Sequence, residues 1–328
     1  MKYAGLGLFP DLTASRTMQI DQDSHTERVT LESPDLRILM DPQEGGKIRS
    51  LISRRTGIEY LYQDSRSDFG KGQDYGNHDI SGFDECFPTV WACDYPDGKK
   101  QGLALRDHGY LWHRPWTARI ENDRVVMQCD IPELDCRFER VCWLETSRSF
   151  RLDYRITNND DEPLKYVYSA HPLLAANEDT QLVLPQEMDQ AFVFFVANMP
   201  GMSPGTWIDW REDTIPSLQS PFTAERQACL KVYSPRLTSV RAAVIHSDHK
   251  EGLQFDVDAD QLPYLGVLYQ QGYDSDPEGV FSREVFLALE PTSGVGDDLP
   301  TCQTTGTLCQ LQPNETKEFT IRLTLINQ

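Results

Sequence analysis

The sequence predicts an all-β protein built mainly of antiparallel strands. In residues 150–157, apolar Phe150, Leu152, Tyr154 and Ile156 alternate with Arg151, Asp153, Arg155 and Thr157. That is the two-residue period of a strand with one face buried. Near the C-terminus Phe319, Ile321, Leu323 and Leu325 alternate in the same way with Thr320, Arg322 and Thr324. No window of about 12 residues carries the apolar period of an amphipathic helix, while 20 prolines and 21 glycines divide the chain into short pieces joined by loops.

Each element follows from its local pattern. Val125, Met127 and Cys129 mark one strand and Cys136 to Leu144 the next, giving a meander over about residues 124–175. After the turn-rich Asn158-Asn159-Asp160-Asp161-Glu162-Pro163, the run Leu164 to Ala170 puts Tyr166, Tyr168 and Ala170 on one face and Val167 and Ser169 on the other. This run is expected to pair with 150–157 as a hairpin. The stretch from Asp189 to Pro221 reads as irregular, yet Phe192, Phe194, Phe195, Trp207 and Trp210 make it too aromatic for a solvated linker. Pro313-Asn314-Glu315-Thr316 supplies the turn before the final strand. No exact repeat or linker cuts the chain, so residues 1–24 are expected to be an N-terminal arm or edge segment and 25–328 one domain.

Composition narrows the partners. A formal charge of −20 repels phosphate backbones and anionic lipid surfaces, which disfavours nucleic acid and membrane and favours an uncharged ligand. No stretch approaches the roughly 18 consecutive apolar residues of a membrane helix, and the opening MKYAGLGLFPDLTASRTMQI lacks a signal peptide's apolar region. The expectation is a cytoplasmic protein, monomer or homodimer. Eight scattered cysteines without a C-x-x-C pair fit buried reduced thiols, and neither zinc nor any other metal is expected.

Four islands concentrate reactive and aromatic residues: Gly82-Phe83-Asp84-Glu85-Cys86-Phe87-Pro88, Asp107-His108-Gly109 through Trp116, Ser169-Ala170-His171-Pro172, and Leu289-Glu290-Pro291. Brought together they supply an acid, a base and stacking surfaces, as a sugar site requires. Gly45-Gly46-Lys47-Ile48 precedes them with Thr56-Gly57-Ile58-Glu59-Tyr60, and Leu262-Pro263-Tyr264-Leu265-Gly266 leads into Ala288-Leu289-Glu290-Pro291-Thr292. In order and rough spacing over residues 40 to 325, these elements resemble the aldose 1-epimerase (galactose mutarotase) superfamily. The resemblance implies a β-supersandwich with an open concave face, carbohydrate as ligand, no cofactor, and a His/Glu pair across a pyranose.

It also implies roles. Mutarotation removes the anomeric proton while protonating the ring oxygen, then recloses the opened sugar on its other face, so one base and one acid suffice. By the resemblance Glu290 is the base, His171 the acid and His108 an assisting group. Phe87 and Trp116, with Trp112 and Tyr110, offer faces for a sugar ring. Arg114 offers hydrogen-bond donors, and Asp84 and Glu85 offer acceptors, with neighbours on a strand expected to face opposite ways. The sequence departs from the family where Tyr110-Leu111-Trp112-His113-Arg114-Pro115 replaces glycine-rich sequence, and only Asp256 and Asp258 offer themselves for its sugar-binding aspartate. Three alternatives stay open: a non-catalytic carbohydrate-binding or sensing protein, a hexose-phosphate epimerase, and a glycoside hydrolase or lyase pairing Asp84 or Glu85 with Glu290.

Overall fold

The computed structural model describes residues 17–23, 26–64, 66, 75–210, 222–275, 279 and 281–327. Among these, the strands form one eleven-stranded and one eight-stranded antiparallel sheet with two small two-stranded pairs. Across the larger sheet run Thr17–Asp23, Thr26–Glu32, Leu36–Asp41, Lys47–Ser53, Phe83–Cys86, Ser169–Ala175, Val285–Thr292, Tyr264–Gln271, Ala228–Tyr233, Gln190–Ala197 and Thr206–Asp209. The smaller one runs Thr180–Val183, Val240–His246, Glu251–Val257, Thr316–Asn327, Ser149–Asn158, Cys136–Leu144, Arg124–Ile131 and Thr117–Glu121. The described residues contain one α-helix, Leu299–Thr304, started by Pro300 and capped by Asp298, whose Oδ1 accepts from the Thr301 amide at 2.6 Å.

The two sheets share one core. In Cys136–Leu144 alternate residues are buried, so Phe138 points inward and meets Phe87 and Tyr168, which flank the strands Phe83–Cys86 and Ser169–Ala175 of the larger sheet, at ring distances of 6.1 and 6.0 Å. The turn at Gly45 and Gly46, with φ of 69° and 64°, admits the loop of residues 107–116 closely. A Cβ on Gly45 would lie 2.3 Å from the Trp112 carbonyl oxygen, which is why glycine stands there.

The expected hairpin of 150–157 with 164–170 does not form. Ser149–Asn158 has both edges occupied, by Cys136–Leu144 and Thr316–Asn327, and Leu164–Tyr166 pairs instead with Cys309–Leu311. Asn158 steers the chain away, its Nδ2 donating to the carbonyls of Glu162 at 2.8 Å and of Leu311 and Gln312 at 3.2 Å. The chain then crosses to the larger sheet as Ser169–Ala175, and Tyr166 through Ala170 are buried on both faces.

The stretch read as irregular contains an edge hairpin, Gln190–Ala197 with Thr206–Asp209. A β-bulge hid its period: Val193 pairs with Val232 and Phe195 with Lys231, leaving Phe194 as the extra residue. Residues 211–221 of that stretch lie outside the described residues, as do residues 1–16 of the expected arm.

Candidate functional site

Strand register assembles the site from distant parts of the sequence. Asp84 stands opposite His171. The pairs Ser169 with Thr292 and Leu173 with Ala288 bracket His171 and Glu290, bringing those two side by side. Glu290 stands opposite Gly266, and Gly266 opposite Tyr233. Residues paired across strands share a face, and so do residues two apart on one strand. One row across four inter-strand steps therefore carries Asp84, His171, Glu290 and Tyr233, with Lys231 two residues along from Tyr233. Gly266 leaves a gap in the row, where a Cβ would lie 3.2 Å from the Tyr233 ring and 3.3 Å from Glu290 Cβ.

His171 is held from one side by a chain of buried polar groups. Lys47 Nζ lies 2.9 Å from Asp84 Oδ2, the Tyr75 hydroxyl donates to the same oxygen at 3.1 Å, and Tyr75 Oη lies 3.3 Å from His171 Nδ1. An ionised Asp84 can only accept, so the single Tyr75 proton goes to it and Nδ1 keeps its own proton, donated to Tyr75. That leaves Nε2 to exchange a proton. Nε2 lies 3.9 Å from Glu290 Oε1, which has no hydrogen-bond partner among the described residues.

Glu290 Oε2, by contrast, is fully engaged. It accepts from Lys231 Nζ and from Ser169 Oγ, the latter at 3.2 Å. Lys231 Nζ also lies 3.5 Å from Asp297 Oδ1, which accepts a hydrogen bond from the Tyr233 hydroxyl. Burial, together with the charges of His108, Lys231 and Lys47, pushes the His171 pKa well below the usual histidine value. Burial raises Glu290, with the Lys231 ammonium pulling against it. Burial also works against the Lys231 ammonium, but Asp297 and Glu290 more than offset that and its pKa stands above the usual lysine value.

Above this floor opens a pocket of about 570 Å³. His171, Lys231 and Asp297 line its base, with Glu290 beneath them and out of solvent reach. His108 lines the side, its ring stacked on Tyr75 at 3.6 Å and 9° and set edge-on to His171 at 4.8 Å. The backbone there is tight: His108 has φ of 57°, and a Cβ on Gly109 would fall 2.0 Å from the Phe87 carbonyl oxygen. Val90, Leu268, Phe195 and Phe286 form apolar walls, and Trp91 stands at the pocket 44% exposed.

The pocket thus collects His171 and His108 from the residues singled out in the sequence, with Glu290 just below. It does not collect the others. Asp84 shares the site face but is buried behind Tyr75 and paired with Lys47. Glu85 faces the opposite way, into the core, where Arg140, Tyr154 and Tyr168 donate to it at 2.8, 2.8 and 2.7 Å. Phe87 and Trp116 are core residues, with Trp116 packed on the Gly46 turn and against Phe138. Arg114 bonds Glu133 at 2.5 Å and covers Tyr110. Asp256 is engaged by Arg241 at 2.6 Å on the other sheet. The His/Glu pair does not flank a ring-sized gap either, since both residues stand on one sheet face. Tyr75, Asp297 and Trp91 also line the pocket and carry no mark in the local sequence pattern, whereas Lys231, inside the apolar run Ala228–Tyr233, is itself a signal.

Cys86, His108 and His171 present possible ligand atoms within 4.8 Å of one another. A metal would have to draw all three to about 2.0–2.3 Å of one point. The Cys86 thiol is pushed well up by burial, away from the thiolate form that binds metals.

No protein-family model matches the chain, and no curated protein matches it. Solved structures do. A protein from Synechocystis is similar at 16% identity and a TM-score of 0.67, over 99% of this chain and 100% of that one. A candidate aldose 1-epimerase from Klebsiella pneumoniae is similar at 15% and 0.69, over 92% and 80%. A galactose mutarotase-like protein from Clostridium acetobutylicum is similar at 13% and 0.66, over 96% and 99%. The chain has the galactose mutarotase-like fold. At these identities the likeness is one of fold, and function must be argued from the site. No helix among the described residues is long and apolar enough to cross a membrane.

Proposed function

We propose that the pocket binds the cyclic form of an aldose and interconverts its anomers by proton exchange with His171 and Glu290. The observation that carries this reading is the unpartnered Glu290 Oε1 facing His171 Nε2 at 3.9 Å at the base of the pocket. The anomeric and ring oxygens sit on one carbon, so an acid and a base side by side can address both from one direction.

Glu290 Oε1 takes the proton from the anomeric hydroxyl, C1 and that oxygen become a carbonyl, the bond from C1 to the ring oxygen breaks, and His171 Nε2–H protonates the ring oxygen. Rotation about C1–C2 and the reverse steps close the other anomer. The pair holds one exchanging proton throughout. Before ring opening it is imidazolium and carboxylate; afterwards it is neutral imidazole and carboxylic acid. The downward push on His171 and the upward push on Glu290 both favour the neutral pair, and hence the opened sugar. Lys231 opposes this by favouring the carboxylate, which keeps the starting ion pair accessible. Tyr75 and Asp84 position His171 by keeping Nδ1 protonated, and His108 supports the sugar from the side.

A second reading is favoured by one observation: Glu290 exposes no surface and is covered by Lys231 and His171. A pocket closed over its carboxylate suits a carbohydrate-binding or sensing protein without turnover. Anomer exchange followed by NMR across free aldoses separates the two. The epimerase reading expects acceleration that His171→Ala and Glu290→Gln each reduce by about a hundredfold or more. Sugar binding with exchange at the buffer rate would replace it with the binding reading.

A further inference from the structure

Resting on the reading that this pocket binds a sugar, we propose that its ligand is an uncharged reducing oligosaccharide whose second ring lies on Trp91. The first argument is extent. A cavity of about 570 Å³ falls within the range that takes drug-sized ligands and exceeds what one six-membered ring fills. Anomer exchange needs a free anomeric hydroxyl at the base, beside His171. Whatever fills the remainder is attached to that first ring away from its anomeric carbon.

The second argument is Trp91 itself. A tryptophan left 44% exposed at a pocket keeps apolar area in water unless a partner covers it. Its backbone is pinned to the site, with the amides of Val90 and Trp91 donating to the Asp297 carbonyl at 2.8 and 2.7 Å. Its ring is braced edge-on by Phe194 at 5.0 Å, the extra residue that the β-bulge inserts between the pairs Val193–Val232 and Phe195–Lys231. A rigid aromatic face held in register with the acid–base floor suits a sugar ring, which presents an apolar C–H face and a polar rim.

The third argument is the sign of the polar groups. Asp107, Asp274 and Asp297 line the pocket, and Gln270, also in the lining, has an Oε1 without a hydrogen-bond partner among the described residues. These are acceptors, which fit hydroxyl donors and repel a phosphate. No arginine lines the pocket among the described residues, and the lining ammonium, Lys231, is held by Glu290 and Asp297. A phosphosugar would need converging cations.

Calorimetry on the intact protein tests this with glucose, galactose, maltose, cellobiose, lactose and glucose 6-phosphate as probes. At least one disaccharide should bind about tenfold tighter than the monosaccharide of its reducing end. Trp91→Ala should bring that ratio close to one, Trp91→Phe should preserve most of it, and glucose 6-phosphate should bind more weakly than glucose. No preference for any disaccharide, a ratio indifferent to Trp91→Ala, or tightest binding by the phosphate would overturn the proposal. The two readings fail separately. Disaccharide binding that depends on Trp91 without anomer exchange removes the epimerase reading alone, whereas exchange of monosaccharides without a disaccharide preference removes this one alone. Absence of binding by every probe removes both.

Discussion

Lys231→Met removes the cation beside Glu290 while keeping a stem of similar length, so the change is mainly one of charge. Breaking a buried ion pair from one side costs about 3–5 kcal/mol, and one pKa unit corresponds to about 1.4 kcal/mol. The variant can recover part of that by protonating Glu290, which places the expected upward shift at about 1–3 units. Because the Lys231 charge depresses both His171 and Glu290, removing it raises both. The two limbs of the pH–rate bell belong to the pair, so the whole bell for anomer exchange should move to higher pH. Stability follows with a definite sign. A carboxyl raised in the folded state contributes stability that is present below its unfolded pKa of about 4.3 and lost as pH rises through the raised folded value. The deficit of Lys231→Met should therefore be small near pH 5 and grow toward pH 8. NMR exchange rates over that range, with urea denaturation at its two ends, measure both effects. An unmoved bell together with a stability loss equal at both pH values would refute the proposed coupling of Lys231 to Glu290.

Two further substitutions separate positioning from packing. Tyr75→Phe keeps the ring stacked on His108 but removes the hydroxyl between Asp84 and His171 Nδ1. Leaving such groups unsatisfied costs about 1–3 kcal/mol, so kcat for anomer exchange should fall by about tenfold to a hundredfold, with a smaller change in KM. Arg140→Met leaves Glu85 unpaired between the sheets and should cost about 3–5 kcal/mol in urea denaturation. Adding Glu85→Gln should restore part of that stability, and the exchange rate per folded molecule should hold.

Much of the framework was legible because exposure alternates wherever one face of a strand meets the core. Residues 136–144, 149–158 and the C-terminal strand show that period plainly. The rule also anticipated that Asp84 and Glu85 would diverge, but not which one faced the site. That choice depends on where Arg140 and Tyr154 of the facing sheet meet Glu85, a long-range fact absent from local pattern. The hairpin at 164–170 was misread because a run buried on both faces has no period to betray its partner. Trp116 and Phe87 lay in the right islands, yet aromatic residues in a β protein mostly fill its interior, and these did, while Arg114 of the same stretch is spent on Glu133. Trp91 shows the converse, since nothing in its neighbours distinguishes an exposed tryptophan from a buried one.

The row of Asp84, His171, Glu290 and Tyr233 is defined by hydrogen-bonded register between strands far apart in the chain. A residue inserted within any of these strands would turn its side chain to the opposite face and dismantle the row. Insertions in the connecting loops would leave the row where it is. The loops are accordingly where such a chain is free to lengthen, shorten and change its pocket rim, while the row of polar side chains beneath it stays as it is.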